Sequence, residues 1–256
     1  MKKIKNILLS STLSLLFLAC GSSSDSSSSA SLSTGQSGSM ARFAISGNYL
    51  YTINEREMNV LDINDSSNPK KVSKVGVPFD VETLFAYKDN LYVGSSSGMY
   101  IYDKTTPTQP TRIVNFTHAQ SCDPVVVSDD VAFVTLHTNS NCWNGTGVNR
   151  LEIVDVQTPS NPKLIKTVDM WEPKGLGVDG TNLFICDGSS GLKMYDINKT
   201  VNNDKVSVKI DLKESLSSID CYDVIAQNNN LIISNHTEIR QFSYASFPME
   251  ELSRIK

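Results

Sequence analysis

The segment MNVLD-INDSSNP at residues 58–69 decides the fold, because the chain repeats its pattern four more times. Each copy is an apolar run closed by an acidic or polar residue and followed by a turn-rich phrase. The later copies read MYIYD-KTTPTQP (99–110), LEIVD-VQTPSNP (151–162), LKMYD-INKT (192–200) and the degenerate IRQFS-YASFP (239–248). Repeats of this length cannot bury their apolar faces alone and must stack on their neighbours.

The repeat contains four short strands. Its anchor residues, spaced 41, 52, 41 and 47 positions apart, are Asp62, Asp103, Asp155, Asp196 and Ser243. Two alternating strands precede each closing phrase and flank a turn rich in Asn, Asp or Gly, which tolerate positive φ. A fourth alternating strand follows the phrase. Four antiparallel strands repeated radially predict an all-β protein, a five-bladed β-propeller over residues 41–256.

The closing phrases also resemble a known family. The LxIYD and LEIVD runs followed by xxxPxxP resemble the LVIVD-repeat family of bacterial surface β-propeller lipoproteins, strongly in units one to four and weakly in unit five. The resemblance implies a propeller fold and a secreted location, and it names no activity.

Residues that recur once per unit are expected to serve the repeat. The anchor aspartates should accept backbone N–H groups in the turn after the third strand, rather than act as catalytic carboxylates. Large side chains on the second strands should pack between blades; these are Tyr51, Tyr92, Phe133 and Phe184.

The N-terminus predicts export. Lys2, Lys3 and Lys5 precede an uncharged stretch from Ile7 to Ala19, which is too short to span a bilayer and indicates a signal peptide at residues 1–19. The segment LFLAC (16–20) resembles a lipobox, so we expect Cys20 to carry acyl chains such as palmitate. An ordinary signal peptide with a chance cysteine is the alternative.

Residues 20–40 predict a tether. Gly21 to Met40 holds eleven serines and almost no apolar side chain, a composition that favours a flexible leash. We therefore expect a lipid-anchored protein of the cell envelope. Gly21 after the cysteine favours the outer membrane or cell surface.

Charge excludes one class of partner. The formal net charge is −4, and removal of the three leader lysines makes it −7. Nucleic acid needs a basic patch, so we expect no nucleic-acid partner.

Unit three carries an insertion, HTNSNCWNGTGVNR (137–150), at the face that holds the channel mouth. Its indole, Trp143, is a candidate contact residue, with packing over a local disulfide as the alternative. Four cysteines fall on the same face and allow three pairings. The favoured pairing joins Cys122 to Cys142 and Cys186 to Cys221.

The mouth face also collects polar candidates. His118, His137 and His236 lie near several aspartates, but the repeat places His137 and His236 two blades apart, so no metal site and no cofactor are expected. The alignment lines the channel mouth with a mixed set that would suit a small polar ligand: Arg42, Glu82, Thr83, Asp123, Lys174 and Asp223.

No catalytic motif accompanies these residues. The sequence favours a binding scaffold for an unknown protein or glycan. The alternatives are a structural component of an envelope complex and a propeller enzyme, such as a metal-dependent lactonase or lyase. Asn64 and Asn198 lie in N-x-S/T sequons that also follow from the repeat consensus.

Overall fold

Twenty strands form five four-stranded antiparallel sheets in a computed structural model that describes residues 38–54, 56–79, 81–117, 124–137 and 148–256. Blade one contains β1 (Phe43–Ser46), β2 (Tyr49–Ile53), β3 (Glu57–Asp62) and β4 (Lys70–Gly76). Blade two contains β5 (Val81–Tyr87), β6 (Asn90–Ser95), β7 (Gly98–Asp103) and β8 (Thr111–Thr117). Blade three contains β9 (Val125–Ser128), β10 (Val131–Leu136), β11 (Arg150–Asp155) and β12 (Lys163–Asp169). Blade four contains β13 (Pro173–Asp179), β14 (Asn182–Asp187), β15 (Leu192–Asn202) and β16 (Lys205–Leu216). Blade five contains β17 (Asp223–Gln227), β18 (Asn230–Ser234), β19 (Ile239–Ser243) and β20 (Glu250–Ile255).

The predicted all-β, five-bladed propeller is confirmed. Strands follow chain order within every blade, and the first strands of consecutive blades lie side by side from β1 to β17. The turns between first and second strands adopt the predicted positive φ, for example at Asp129 (46°) and Asp130 (58°). Asn and Asp accept this conformation because their short side chains can bond locally.

The anchor aspartates hold the turns after the third strands. Asp62 accepts the N–H of Asn64 at 2.9 Å, and Asp103 accepts that of Thr105 at 2.7 Å. Asp155 accepts the N–H of Gln157 at 3.0 Å in the same way. The structural interpretation of these carboxylates is therefore confirmed in blades one to three.

Blade four departs from the expected pattern. Asp196 was expected in a turn, but it lies inside β15, which runs on to Asn202 and pairs with the equally long β16. The phrase after Asp196 contains no proline, so nothing removes an N–H from the ladder and the hairpin extends. Its turn forms at Asn203 and Asp204, and Asp196 bonds Lys213 at 3.1 Å instead of a turn amide.

Four apolar clusters join consecutive blades. They span blades one and two, two and three, three and four, and four and five. The predicted packing residues sit inside them at 0–1% exposure: Tyr51, Tyr92, Phe133 and Phe184. Burial of such side chains contributes about 1.5–3 kcal/mol each, so these clusters hold the blades together.

The junction of blades five and one is different. No buried cluster among the described residues combines these two blades. On blade five, Ile232 and Ile239 are 41% and 46% exposed, whereas the neighbouring Ile233, which faces blade four, is 1% exposed. On blade one, Leu50 and Leu61 lie on the sheet face opposite to Tyr51 and Val60, which pack toward blade two, and both are only half-buried. In the part of the chain that the structure describes, apolar packing therefore does not seal the ring at this junction.

A polar clasp crosses the ring here. The clasp is residues 38–41, immediately before β1. Ser39 is 1% exposed and its hydroxyl accepts the N–H of Leu176 in blade four at 2.7 Å. The carbonyl of Ala41 accepts the N–H of Leu84 in blade two at 2.9 Å. The described propeller thus includes Ser39, which its composition had assigned to the tether.

Candidate functional site

The mouth face carries the starts of the first strands and the loops that join second to third strands. Asp223 lies there at the start of β17, and its carboxylate contacts the clasp. Its carboxylate accepts the hydroxyl of Ser39 at 3.2 Å. A side-chain carbon at Gly38 or Gly175 would collide with this carboxylate, so both positions need glycine. Burial raises the pKa of Asp223 to about 6, although hydrogen bonds from Val224, Ser39 and Met40 lower it.

The structure brings together two of the residues predicted at the mouth. Lys174 and His236 both contact Tyr222: the Lys174 Nζ lies 5.9 Å from its ring centroid and the His236 ring lies at 5.4 Å. Tyr222 directly precedes Asp223, and its carbonyl accepts the N–H of Gly175 at 3.0 Å. Blades four and five therefore form one continuous surface at the mouth.

The remaining predicted residues are spread out. Arg42 is exposed, Glu82 is half-buried and Thr83 is buried, all on the side of blades one and two. His137 is buried at 5% exposure rather than presented to solvent. The other candidates lie outside the described residues: Cys20, His118, Cys122, Asp123, Cys142 and Trp143.

Cys186 and Cys221 form the predicted disulfide between blades four and five. Their Cα atoms lie 5.1 Å apart, and both residues are fully buried. Cys221 directly precedes Tyr222, so the bridge holds this part of the mouth face in place. The Cys122–Cys142 pairing lies outside the described residues and stays a prediction.

Trp171 is the exposed indole of the described mouth face. It is 65% exposed and lies between β12 and β13. The backbone N–H of Trp171 donates to the carboxylate of Asp187 at 2.9 Å, and its backbone carbonyl accepts a hydrogen bond from the side-chain amide of Asn149 at 2.6 Å. The backbone of Trp171 is therefore bonded on both sides while its ring stays in solvent.

The side chain of Asp187 holds the loop that contains Trp171 through hydrogen bonds to its backbone. It is fully buried, accepts the N–H groups of Trp171 and Glu172 at 2.9 Å each, and receives the Nζ of Lys193 on its other oxygen. All of these partners are needed, because a buried carboxylate without them would be costly. Asp187 thus acts as a support for the Trp171 loop.

Sequence reasoning missed Trp171, Glu172 and Tyr222. Trp171, like Trp143, is an indole in a polar connection at the mouth face. The connection WEPK (171–174) carries this signal in the sequence. Tyr222 had no local signal, since its role depends on contacts with blade four.

No group of three or more His, Cys, Asp or Glu side chains comes together to hold a metal ion within the described ranges. The same ranges contain no helix that is long and apolar enough to cross a membrane.

Comparison with solved structures supports the propeller fold. Apo AztD from Citrobacter koseri superposes with a TM-score of 0.57 and 12% identity over 81% of this chain and 60% of that one. A protein of unknown function from Desulfotomaculum acetoxidans superposes with a TM-score of 0.61 and 9% identity, over 86% of this chain and 70% of that one. The periplasmic gluconolactonase of Pseudomonas aeruginosa superposes with a TM-score of 0.55 and 13% identity, over 82% of this chain and 67% of that one. Identities this low show the fold alone.

The chain spans about three fifths of the length of the AztD structures that it matches. No curated protein matches it in sequence. The LVIVD repeat model matches residues 37–76 and 145–170, which lie in units one and three. The chain therefore contains LVIVD repeats within a five-bladed propeller of four-stranded blades, as its closing phrases predict.

Proposed function

We propose that this protein is an exported, lipid-anchored binding scaffold of the cell envelope, whose propeller presents the mouth face of blades four and five to a partner. The leader and Cys20 supply the anchor, and the serine-rich segment supplies the leash. A disulfide between two blades fits an oxidising compartment outside the cytosol.

The exposed and firmly held Trp171 carries the proposal. Covering an exposed aromatic ring with a partner removes the ring from water, which favours binding. Tryptophan is enriched among the residues that dominate binding energy. A ring whose backbone is already fixed by Asp187 and Asn149 loses little conformational entropy when a partner covers it. Trp171 is therefore suited to act as a binding anchor.

The test compares two exposed aromatic residues on opposite faces. Phe247 is 53% exposed and lies in the connection between β19 and β20, on the face away from the mouth. Cells producing the wild type, Trp171→Ala or Phe247→Ala would be treated with an amine-reactive cross-linker. We expect one defined adduct in the wild type and in Phe247→Ala, and roughly 5-fold or greater loss of it in Trp171→Ala.

The lipid anchor at Cys20 is tested separately. Cys20→Ser removes the thiol that carries the acyl chains, so the variant should leave the membrane fraction or stay unprocessed. Membrane partitioning equal to the wild type by a variant whose leader has been removed would contradict the lipoprotein assignment. An adduct pattern unchanged by Trp171→Ala would contradict the mouth face as the binding surface.

A further inference from the structure

Five side chains form a row along the mouth face of blades four and five. The mouth row is Trp171, Glu172, Lys174, Tyr222 and His236. Glu172 follows Trp171 in the chain and lies 3.7 Å from the Nζ of Lys174. Lys174 in turn lies over Tyr222, and Tyr222 lies against His236. Contacts therefore run without a break from Lys174 to His236 in one direction and to Glu172 in the other.

Two exposed aromatic rings mark the two parts of this row. Trp171 is 65% exposed and Tyr222 is 38% exposed. Gly175 bonds the carbonyl of Tyr222, and four residues of extended chain separate Trp171 from Gly175 by at most about 14 Å. Polar groups of Glu172 and Lys174 lie along the chain between the two rings. An extended ligand of several repeating units is long enough to span a distance within this limit.

The charges of the mouth row itself cancel, and so do those of the pair that supports it. Lys174 pairs with Glu172, and Lys193 pairs with the buried Asp187. The Asp223 carboxylate points to the clasp and accepts a hydrogen bond from the Ser39 hydroxyl. Selection of an anion or a cation needs an excess of one charge, and these pairs provide none. An uncharged ligand with hydroxyl groups is the chemistry that such a row recognises best.

Both ring positions are held before any ligand arrives. Asp187 and Asn149 bond the backbone of Trp171, and the Cys186–Cys221 disulfide directly precedes Tyr222. Preorganised platforms favour binding because little conformational entropy remains to be lost. A flat aromatic ring covers the C–H face of a pyranose, while neighbouring polar side chains bond its hydroxyls.

From this arrangement we infer that the mouth row binds an uncharged oligosaccharide, whose sugar rings stack on Trp171 and Tyr222 and whose hydroxyls bond Glu172, Lys174 and His236. The inference rests on the proposed binding function and specifies its ligand class. An envelope component that has amines and carries such a glycan would also give the cross-linked adduct described above. An unglycosylated protein at the same surface is the competing outcome of the test.

The chain contains two tryptophans, so a single substitution isolates the reporter. In the full-length Trp143→Phe protein, purified in detergent, the fluorescence comes from Trp171. Cellohexaose, hexa-N-acetylchitohexaose and maltohexaose are the neutral probes, and an oligogalacturonate is the anionic probe. We expect one neutral probe to shift the emission to shorter wavelength and to shield Trp171 from acrylamide.

Two further variants in the Trp143→Phe background make the result specific. Tyr222→Ala should weaken the interaction with that probe by about 5-fold or more, because it removes the second platform. Phe247→Ala, on the opposite face, should leave the affinity unchanged.

Shielding by none of the neutral probes, or by the oligogalacturonate alone, would overturn the inference. The proposed scaffold function would survive that result if the cellular adduct still disappears in Trp171→Ala and contains a protein. If Trp171→Ala leaves the adduct unchanged as well, the scaffold assignment of this face fails with it.

Discussion

The hydroxyl of Ser39 lies 3.2 Å from the carboxylate of Asp223, although 184 positions separate the two residues in sequence. The same hydroxyl accepts the N–H of Leu176, so one serine links the segment before blade one to blades four and five. Because no apolar cluster seals the junction of blades five and one in the described residues, this contact is part of what closes the ring.

Removal of the Ser39 hydroxyl should therefore destabilise the propeller. In Ser39→Ala the buried N–H of Leu176 and the carboxylate of Asp223 lose a partner, at a cost of about 1–3 kcal/mol in the free energy of unfolding. Urea denaturation measures this cost. Ser253→Ala is the matched control, since Ser253 forms an exposed bond to Gln241, and it should be nearly neutral. Equal effects of the two substitutions would argue against a clasp.

The pH dependence of stability should report Asp223. Its folded-state pKa of about 6 lies above its ordinary value of 3.8, so protonation favours the folded state. The stabilisation is fully present below about pH 4 and is lost as the pH rises through about 6. Relative to Asp223→Asn, the wild type should gain up to about 3 kcal/mol between pH 7 and pH 4. A difference between the two proteins that stays constant over this range would contradict the burial of the charged form.

Adjacent isoleucines of β18 should respond in opposite ways to truncation. Ile233 faces blade four and is 1% exposed, whereas Ile232 faces the junction with blade one and is 41% exposed. Ile233→Ala should cost about 2–5 kcal/mol and Ile232→Ala less than about 1 kcal/mol. Similar losses in melting temperature for both variants would show that blade one covers Ile232.

The Cys186–Cys221 disulfide should stabilise the junction of blades four and five. It closes a loop of 35 residues, for which the expected contribution is about 2–4 kcal/mol. The double variant Cys186→Ala/Cys221→Ala should melt at a lower temperature than the oxidised wild type. Because both cysteines are fully buried, reductant should leave the native wild type unchanged and act once unfolding begins. An unchanged melting temperature in the double variant would contradict this contribution.

Much of the fold was predictable because its signals are local. Apolar runs, turn residues and prolines recur in each unit, and they located the blades and the roles of Asp62, Asp103 and Asp155. The long hairpin of blade four differs from the predicted pattern because no proline follows Asp196 to end the strand pairing. The role of Ser39 was hidden by a serine-rich composition that favours disorder, and its partners are distant in sequence.

The candidate site was predictable only in part. The repeat placed Lys174, His236, Asp223 and the Cys186–Cys221 pair on the correct face. It did not reveal that Asp223 bonds the clasp, or that Asp187 supports Trp171, since both depend on contacts between different loops. Trp171 itself was within reach of the argument that selected Trp143.

The most direct test of the mouth face as binding surface is oxidative footprinting of the full-length protein in intact cells and in purified form. Trp171 should oxidise rapidly in the purified protein and at least several-fold more slowly in cells, where its partner covers it. Phe247, on the opposite face, should oxidise at the same rate in both. Equal oxidation of Trp171 in cells and in purified protein, or selective protection of Phe247, would contradict the proposed binding surface.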